Sequence, residues 1–172
     1  MKKIVVIFLM MLTVKSFSQI TPSVVGTVDL QKYSGTWFEI ARLPNTFEKN
    51  LKCITATYTL RDDGKVTVLN AGYRIDDPSK KSSANGVAWN PDKKEPAKLK
   101  VRFFWPFSGD YWIIELDKDY RYVLVGDPSY KYLWILCRDN VMDEATYKKL
   151  LQKAVTEGYD VSPIIKVEHD CK

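Results

Sequence analysis

The sequence predicts an all-β chain: about eight antiparallel strands, then one helix, then a short last strand. Three observations predict it. Apolar and polar residues alternate along successive short segments. Tight charged or glycine-bearing turns join those segments. A helical apolar stripe occurs once, close to the C-terminus.

The alternation is plain from Ile54 to Arg61, where Ile54, Ala56, Tyr58 and Leu60 share one face and Thr55, Thr57, Thr59 and Arg61 the other. Asp62-Asp63-Gly64-Lys65 reads as a hairpin turn, with Gly64 supplying a positive φ. Val66, Val68 and Asn70 then share a face opposite Lys65 and Thr67. In the next strand Leu99, Val101 and Phe103 oppose Lys98, Lys100 and Arg102. Tyr111 to Asp117 and Tyr122 to Val125 form a further pair across the turn Asp117-Lys118-Asp119. Lys131 to Arg138 is apolar on both faces through Leu133 to Cys137, so an outer element must cover it. Met142 to Glu157 is that element: Tyr147, Leu150, Leu151 and Ala154 make one helical stripe, and Gly158 ends it. Ser162 to Glu168 reads as the last short strand. All eight prolines fall at turns, strand edges or termini.

Strands in this number must close into a barrel or pack as a sandwich to hide their edges. Periodicity alone leaves both open. Faces that mix Tyr, Trp and Phe with the amide of Asn70 suit a cavity-enclosing barrel, whereas a dry sandwich core favours Val, Leu and Ile.

Residues 1–18 read as a secretory signal peptide. Met1-Lys2-Lys3 is basic, Ile4 to Val14 is apolar but too short to span a bilayer, and Ser16-Phe17-Ser18 precedes the cut. Removing it leaves residues 19–172 as a single domain of 154 residues. It also removes Lys2, Lys3 and Lys15 and no acid, which lowers the formal charge from +5 to +2. The mature chain thus lacks the basic field that nucleic-acid binding needs. No cysteine follows the apolar run to accept a lipid, and no later stretch is apolar enough to span a membrane. The single histidine, His169, leaves His-rich metal sites and Ser-His-Asp catalysis without material. Walker, dinucleotide and nucleophile-elbow motifs are absent. No cofactor is expected. Export leaves one cysteine pair bridged among Cys53, Cys137 and Cys171, with three pairings open by spacing.

Residues 29–42, Asp-Leu-Gln-Lys-Tyr-Ser-Gly-Thr-Trp-Phe-Glu-Ile-Ala-Arg, resemble the lipocalin signature through Gly35-x-Trp37 at the start of a first strand. Gly126-Asp127-Pro128-Ser129-Tyr130-Lys131-Tyr132 resembles the second family motif and Arg138 the third. Leu133-Trp134-Ile135-Leu136-x-Arg138 and Glu95-Pro96-Ala97-Lys98-Leu99 are further likenesses, and the fit spans nearly all of residues 28–172. The whole looks closest to the bacterial lipocalins and the apolipoprotein D type. The resemblance implies an eight-stranded up-and-down barrel, closed at one end and open at the other. It implies that Trp37 sits at the closed end with Arg138 across its ring. It pairs Cys53 with Cys171, tying the tail to the barrel; alternation from Trp134 turns the remaining Cys137 outward under the helix, as a buried inert thiol. It places Leu43 to Glu48 over the open end, with Phe47 as a lid contact or latch. Several bacterial members are lipoproteins anchored through an N-terminal cysteine, which this chain lacks.

Within such a barrel, alternation places Ile54, Ala56, Tyr58, Val66, Val68, Asn70, Leu99, Val101, Phe103, Tyr132, Trp134 and Leu136 inside. Trp112 and Ile114 join them if Glu115 and Asp117 face water. The ligand-contact residues expected from this set are Tyr58, Asn70, Phe103 and Trp134, with Ala56, Val68, Val101, Trp112 and Tyr132. Aromatic walls with few polar groups suit a long apolar body with one polar end. The resemblance implies a fatty acid or lysophospholipid carrier of the cell envelope, acting in the periplasm, at the periphery of the outer membrane or outside the cell. The alternatives are an envelope interaction module with a filled barrel, or a lipid-modifying enzyme. The enzyme reading needs an interior thiol, which the three cysteines do not provide. Haem lacks an interior histidine.

Overall fold

The computed structural model describes residues 21–171, so the expected signal peptide lies outside the described residues. The elements in chain order are α1 (Leu30–Tyr33), β1 (Gly35–Arg42), β2 (Leu51–Leu60), β3 (Val66–Arg74), β4 (Lys81–Trp89), β5 (Lys98–Phe104), β6 (Phe107–Leu116), β7 (Tyr122–Gly126), β8 (Leu133–Cys137), α2 (Glu144–Thr156) and β9 (Ile165–Lys166). β1 to β8 pair antiparallel in chain order, and β8 pairs back onto β1. The sheet therefore closes on itself as an eight-stranded barrel, with no free edge between β1 and β8. β9 adds a short pairing onto β1 at Ala41 and Arg42.

The ends are set by local chemistry. Asp29 caps α1 by accepting from the Gln31 and Lys32 amides. The hairpin between β2 and β3 turns at Gly64, with φ of 76°. Asp143 accepts from the Thr146 amide and starts α2. Gly158, at φ 98°, follows its end.

Apolar residues form two layers. Trp37, Tyr58, Val66, Val68, Leu99, Ile113, Val123 and Leu136 fill the inside. Ala41, Ile114, Leu124, Leu133 and Ile135 pack outside against Tyr147, Leu150 and Ala154 of α2. The helix covers the doubly apolar β8, as its sequence requires.

One expectation is corrected. Trp112 and Ile114 do not enter the barrel. A register shift between Ile113 and Glu115 breaks the alternation, so counting back from Glu115 inverts the phase. Ile113 lies in the inner layer and Ile114 in the outer. Trp112 lies opposite Lys98, whose ammonium sits 4.5 Å from its ring centroid. β4 is a strand that alternation does not mark. Its inward row, Ala84, Gly86 and Ala88, carries little apolar bulk. A Cβ on Gly86 would stand 2.8 Å from the Phe103 ring, so the glycine is what lets that ring lie across β4.

Candidate functional site: the barrel interior

The antiparallel order puts the loops after β1, β3, β5 and β7 at one end and α1 at the other. The α1 end is shut. Trp37 is fully buried and donates from Nε1 to the Tyr33 carbonyl at 2.8 Å. The Arg138 guanidinium lies 3.9 Å from the Trp37 ring centroid. It donates to the carbonyls of Lys32, Tyr33, Ser34, Thr36 and Tyr120 at 2.8–3.2 Å, tying α1 to the barrel. Gly35 makes room for it: its φ is 100°, and a Cβ there would stand 3.2 Å from Nη1 of Arg138.

Above this lies a tyrosine floor. The Tyr111 hydroxyl bonds that of Tyr33 at 2.7 Å and that of Tyr58 at 2.9 Å. Burial pushes all three pKa values up, so the hydroxyls stay protonated. The Tyr58 hydroxyl is thereby committed to Tyr111.

The walls rise through Val66, Val68, Ala88 and Leu99, which are buried, to Val101, Phe103 and Trp134, which keep accessible surface while packing on the inner layer. Asn70 faces inward between Ala56 on β2 and Ala84 on β4. Two alanines leave its side chain space, and its buried Oδ1 has no hydrogen-bond partner among the described residues.

The mouth holds a charge cluster that alternation did not reveal. Glu39, Arg42 and Glu48 are all buried. Arg42 donates from Nη1 to Glu39 Oε1 and from Nη2 to the Glu48 carbonyl, both at 2.9 Å. Its Nε lies 3.8 Å from Glu48 Oε2 and makes no hydrogen bond. Glu48 Oε2 accepts from Asn45 Nδ2 at 2.6 Å and Trp134 Nε1 at 3.1 Å, which anchors the 43–48 loop. Burial and the neighbouring Glu48 push the Glu39 pKa well up, against the pull of Arg42. The signal available in the sequence was period two from Trp37, which puts Glu39 inside. Arg42 had no such signal, because β1 shifts register between Glu39 and Ala41. At the same end Tyr132 stacks on Trp134, with centroids 5.8 Å apart and rings 7° from parallel, and Phe47 packs against both.

Cys53 and Cys171 form a disulfide. Cys137 is the free thiol, and burial raises its pKa. His169 sits against the Glu39 carbonyl at 2.9 Å. No helix among the described residues is long and apolar enough to cross a membrane.

Residues 28–169 match the lipocalin-like domain family. The outer membrane lipoprotein Blc of Escherichia coli (strain K12) is 44% identical over 146 residues, spanning 85% of this chain and 82% of that protein. Apolipoprotein D of Macaca fascicularis is 34% identical over 158 residues, spanning 87% and 82%. The solved structure of insecticyanin from the tobacco hornworm Manduca sexta superposes with a TM-score of 0.66 at 25% identity, covering 87% of this chain and 84% of that one. The family match runs from ahead of α1 to beyond β9 and leaves no strand outside it: the chain belongs to the lipocalins, a family of binding proteins for small hydrophobic ligands rather than enzymes.

Proposed function

We propose that the barrel binds and carries a single-chain lipid, a fatty acid or a lysophospholipid, as an exported protein of the cell envelope or its surroundings. The observation that carries the reading is where unmade hydrogen bonds fall along the inner wall: the tyrosine hydroxyls of the floor are paired with one another, and the unpaired polar atoms lie higher. Buried aliphatic residues lie deep, accessible Phe103 and Trp134 lie higher, and polar atoms that make no hydrogen bond, Asn70 Oδ1 and Arg42 Nε, lie toward the mouth. An amphiphile fits this order tail first. Each buried methylene contributes about 0.8 kcal/mol, so a long chain offsets the cost of association. The headgroup then meets groups whose hydrogen bonds are unmade, where a partner is worth most. The outer membrane lipoprotein among the relatives named above supports the envelope location.

The test is a titration of the purified, delipidated protein with a lysophospholipid and a long-chain fatty acid, followed by tryptophan fluorescence. Saturable quenching at about micromolar ligand or below is expected. Trp134→Ala weakens binding of both ligands by about tenfold, through lost aromatic wall area. Asn70→Leu weakens them unequally, because it removes a headgroup contact and adds apolar area. Folded protein that responds to neither lipid overturns the reading and leaves a surface interaction role.

A further inference from the structure

The open end carries more exposed apolar surface than the mouth of a cavity needs. Phe104, Trp105 and Phe107, at the tip of the β5–β6 hairpin, are 77%, 82% and 78% exposed. Phe47, Ile75 and Tyr132, on the other three loops of that end, are also exposed. Among the described residues, only Leu69, Val141, Val155 and Ile165 are comparable large apolar side chains exposed elsewhere. Chance does not place six of ten on one rim, and a patch of this kind marks an interaction surface.

Charge says what the surface meets. Every acid on the rim loops is engaged. Glu48 is buried in the mouth cluster, Asp76 pairs with Arg74, Asp77 with Lys80, and Asp127 accepts from Ser129 and the Tyr132 amide. Lys49, Lys81 and Lys131 are exposed there, with no ion-pair partner among the described residues. A groove of about 600 Å³ beside Phe47 is lined by Lys49, Arg74, Lys80 and Lys81. Exposed Trp and Phe flanked by lysines match the bilayer interface, where aromatic rings sit at headgroup level and lysines meet anionic phosphates.

We propose that the open rim is a docking surface for anionic lipid bilayers. The β5–β6 tip enters the headgroup–acyl boundary, the lysine-lined groove holds lipid phosphates, and the mouth faces the membrane. A lipid then passes between bilayer and barrel without crossing bulk water. The direction of this transfer rests on the lipid-carrier reading; the docking itself does not, and the two are tested separately.

The experiment is co-sedimentation of the protein with vesicles of equal parts phosphatidylglycerol and phosphatidylcholine, and with phosphatidylcholine alone. The wild type is expected to bind the anionic vesicles, more weakly as salt rises. The triple variant Phe104→Ser, Trp105→Ser, Phe107→Ser binds at least about tenfold less, while its fatty-acid affinity, read by displacement of a fluorescent probe, is unchanged. Trp105→Ser alone gives a smaller loss and guards against a folding defect in the triple variant. Lys49→Glu with Lys131→Glu weakens binding to anionic vesicles only. Leu69→Ser with Val155→Ser, away from the rim, binds as the wild type. Equal vesicle binding by the triple variant and the wild type overturns the proposal. So does a wild type that ignores anionic vesicles, or a concentration-dependent dimer that the triple variant abolishes, which would make a second copy the occupant. Vesicle binding without lipid uptake would sink the carrier reading and leave the docking surface standing.

Discussion

Replacing Arg138 tests how the closed end is held. Its guanidinium reaches five carbonyls within 3.2 Å and lies 3.9 Å from the Trp37 centroid. Summing five charge-assisted bonds would overstate its worth. The bonds to the Lys32 and Thr36 carbonyls are exposed, and water replaces the guanidinium there. The Ser34 and Tyr120 carbonyls are half-buried, and losing a partner costs about 1–3 kcal/mol each where water cannot return, whereas the Tyr33 carbonyl keeps its bond from Trp37 Nε1. The stack on Trp37 adds about 0.5–2 kcal/mol. Arg138→Ala should therefore lose about 3–4 kcal/mol in urea unfolding followed by tryptophan fluorescence. The melting temperature should fall by roughly 6–16 °C. Arg138→Lys keeps the charge but neither the planar stack nor the fork, so it should recover less than half of the loss. Full recovery by lysine would show that charge alone holds α1. A loss below about 1 kcal/mol for alanine would refute the geometric account altogether.

Two more outcomes follow from the buried groups. The Glu39 pKa is raised by burial and by Glu48, so the folded carboxyl keeps its proton at pH values where the unfolded one, near pH ~4.3, has lost it. Glu39 therefore costs stability as pH rises above the unfolded value, and Glu39→Gln should gain on the wild type between pH 4 and pH 8; a gain toward low pH would show that the Arg42 pair dominates instead. The Cys53–Cys171 bridge spans a sequence separation of 118. Replacing both cysteines by serine should cost about 2–4 kcal/mol by urea unfolding, and thiol reductant should then have no further effect.

The parts of the barrel that alternation revealed are those where large apolar side chains repeat every second residue without interruption: β2, β3 and β5. There Ile54, Ala56, Tyr58, Val66, Val68 and Leu99 are all buried. The helix was legible because Tyr147, Leu150 and Ala154 had to cover Leu133 and Ile135. β4 was not, since its inner row is two alanines and a glycine, which carry little periodic signal. Trp112 was misplaced because hydrophobicity cannot locate a bulge. The buried Glu39, Arg42 and Glu48 were missed for a different reason. A charged residue in a strand is read as solvent-facing, and only a partner brought from a distant loop makes burial tolerable.

The bulge in β1 accounts for that buried charge. With strict alternation from Trp37, Ala41 would face inward and Arg42 outward. The register shift after Glu39 instead turns Ile40 and Ala41 both toward the outer layer and returns Arg42 to the inside, opposite Trp134. The outer layer gains two adjacent apolar contacts, where a strand otherwise offers one in two. β6 uses the same device after Ile113, which delivers Ile114 to the outer layer. The cost is a guanidinium inside the barrel, and burying it alone would be prohibitive. Glu39 and Glu48 reduce that cost. Glu39 Oε1 accepts from Nη1 and the Glu48 carboxylate stands 3.8 Å from Nε, so the guanidinium is not buried alone. Glu48 reaches it only because Asn45 and Trp134 hold its carboxylate. The loop over the mouth is therefore fixed by the same residues that neutralise Arg42, and packing the helix outside and ordering the mouth inside are consequences of one register shift.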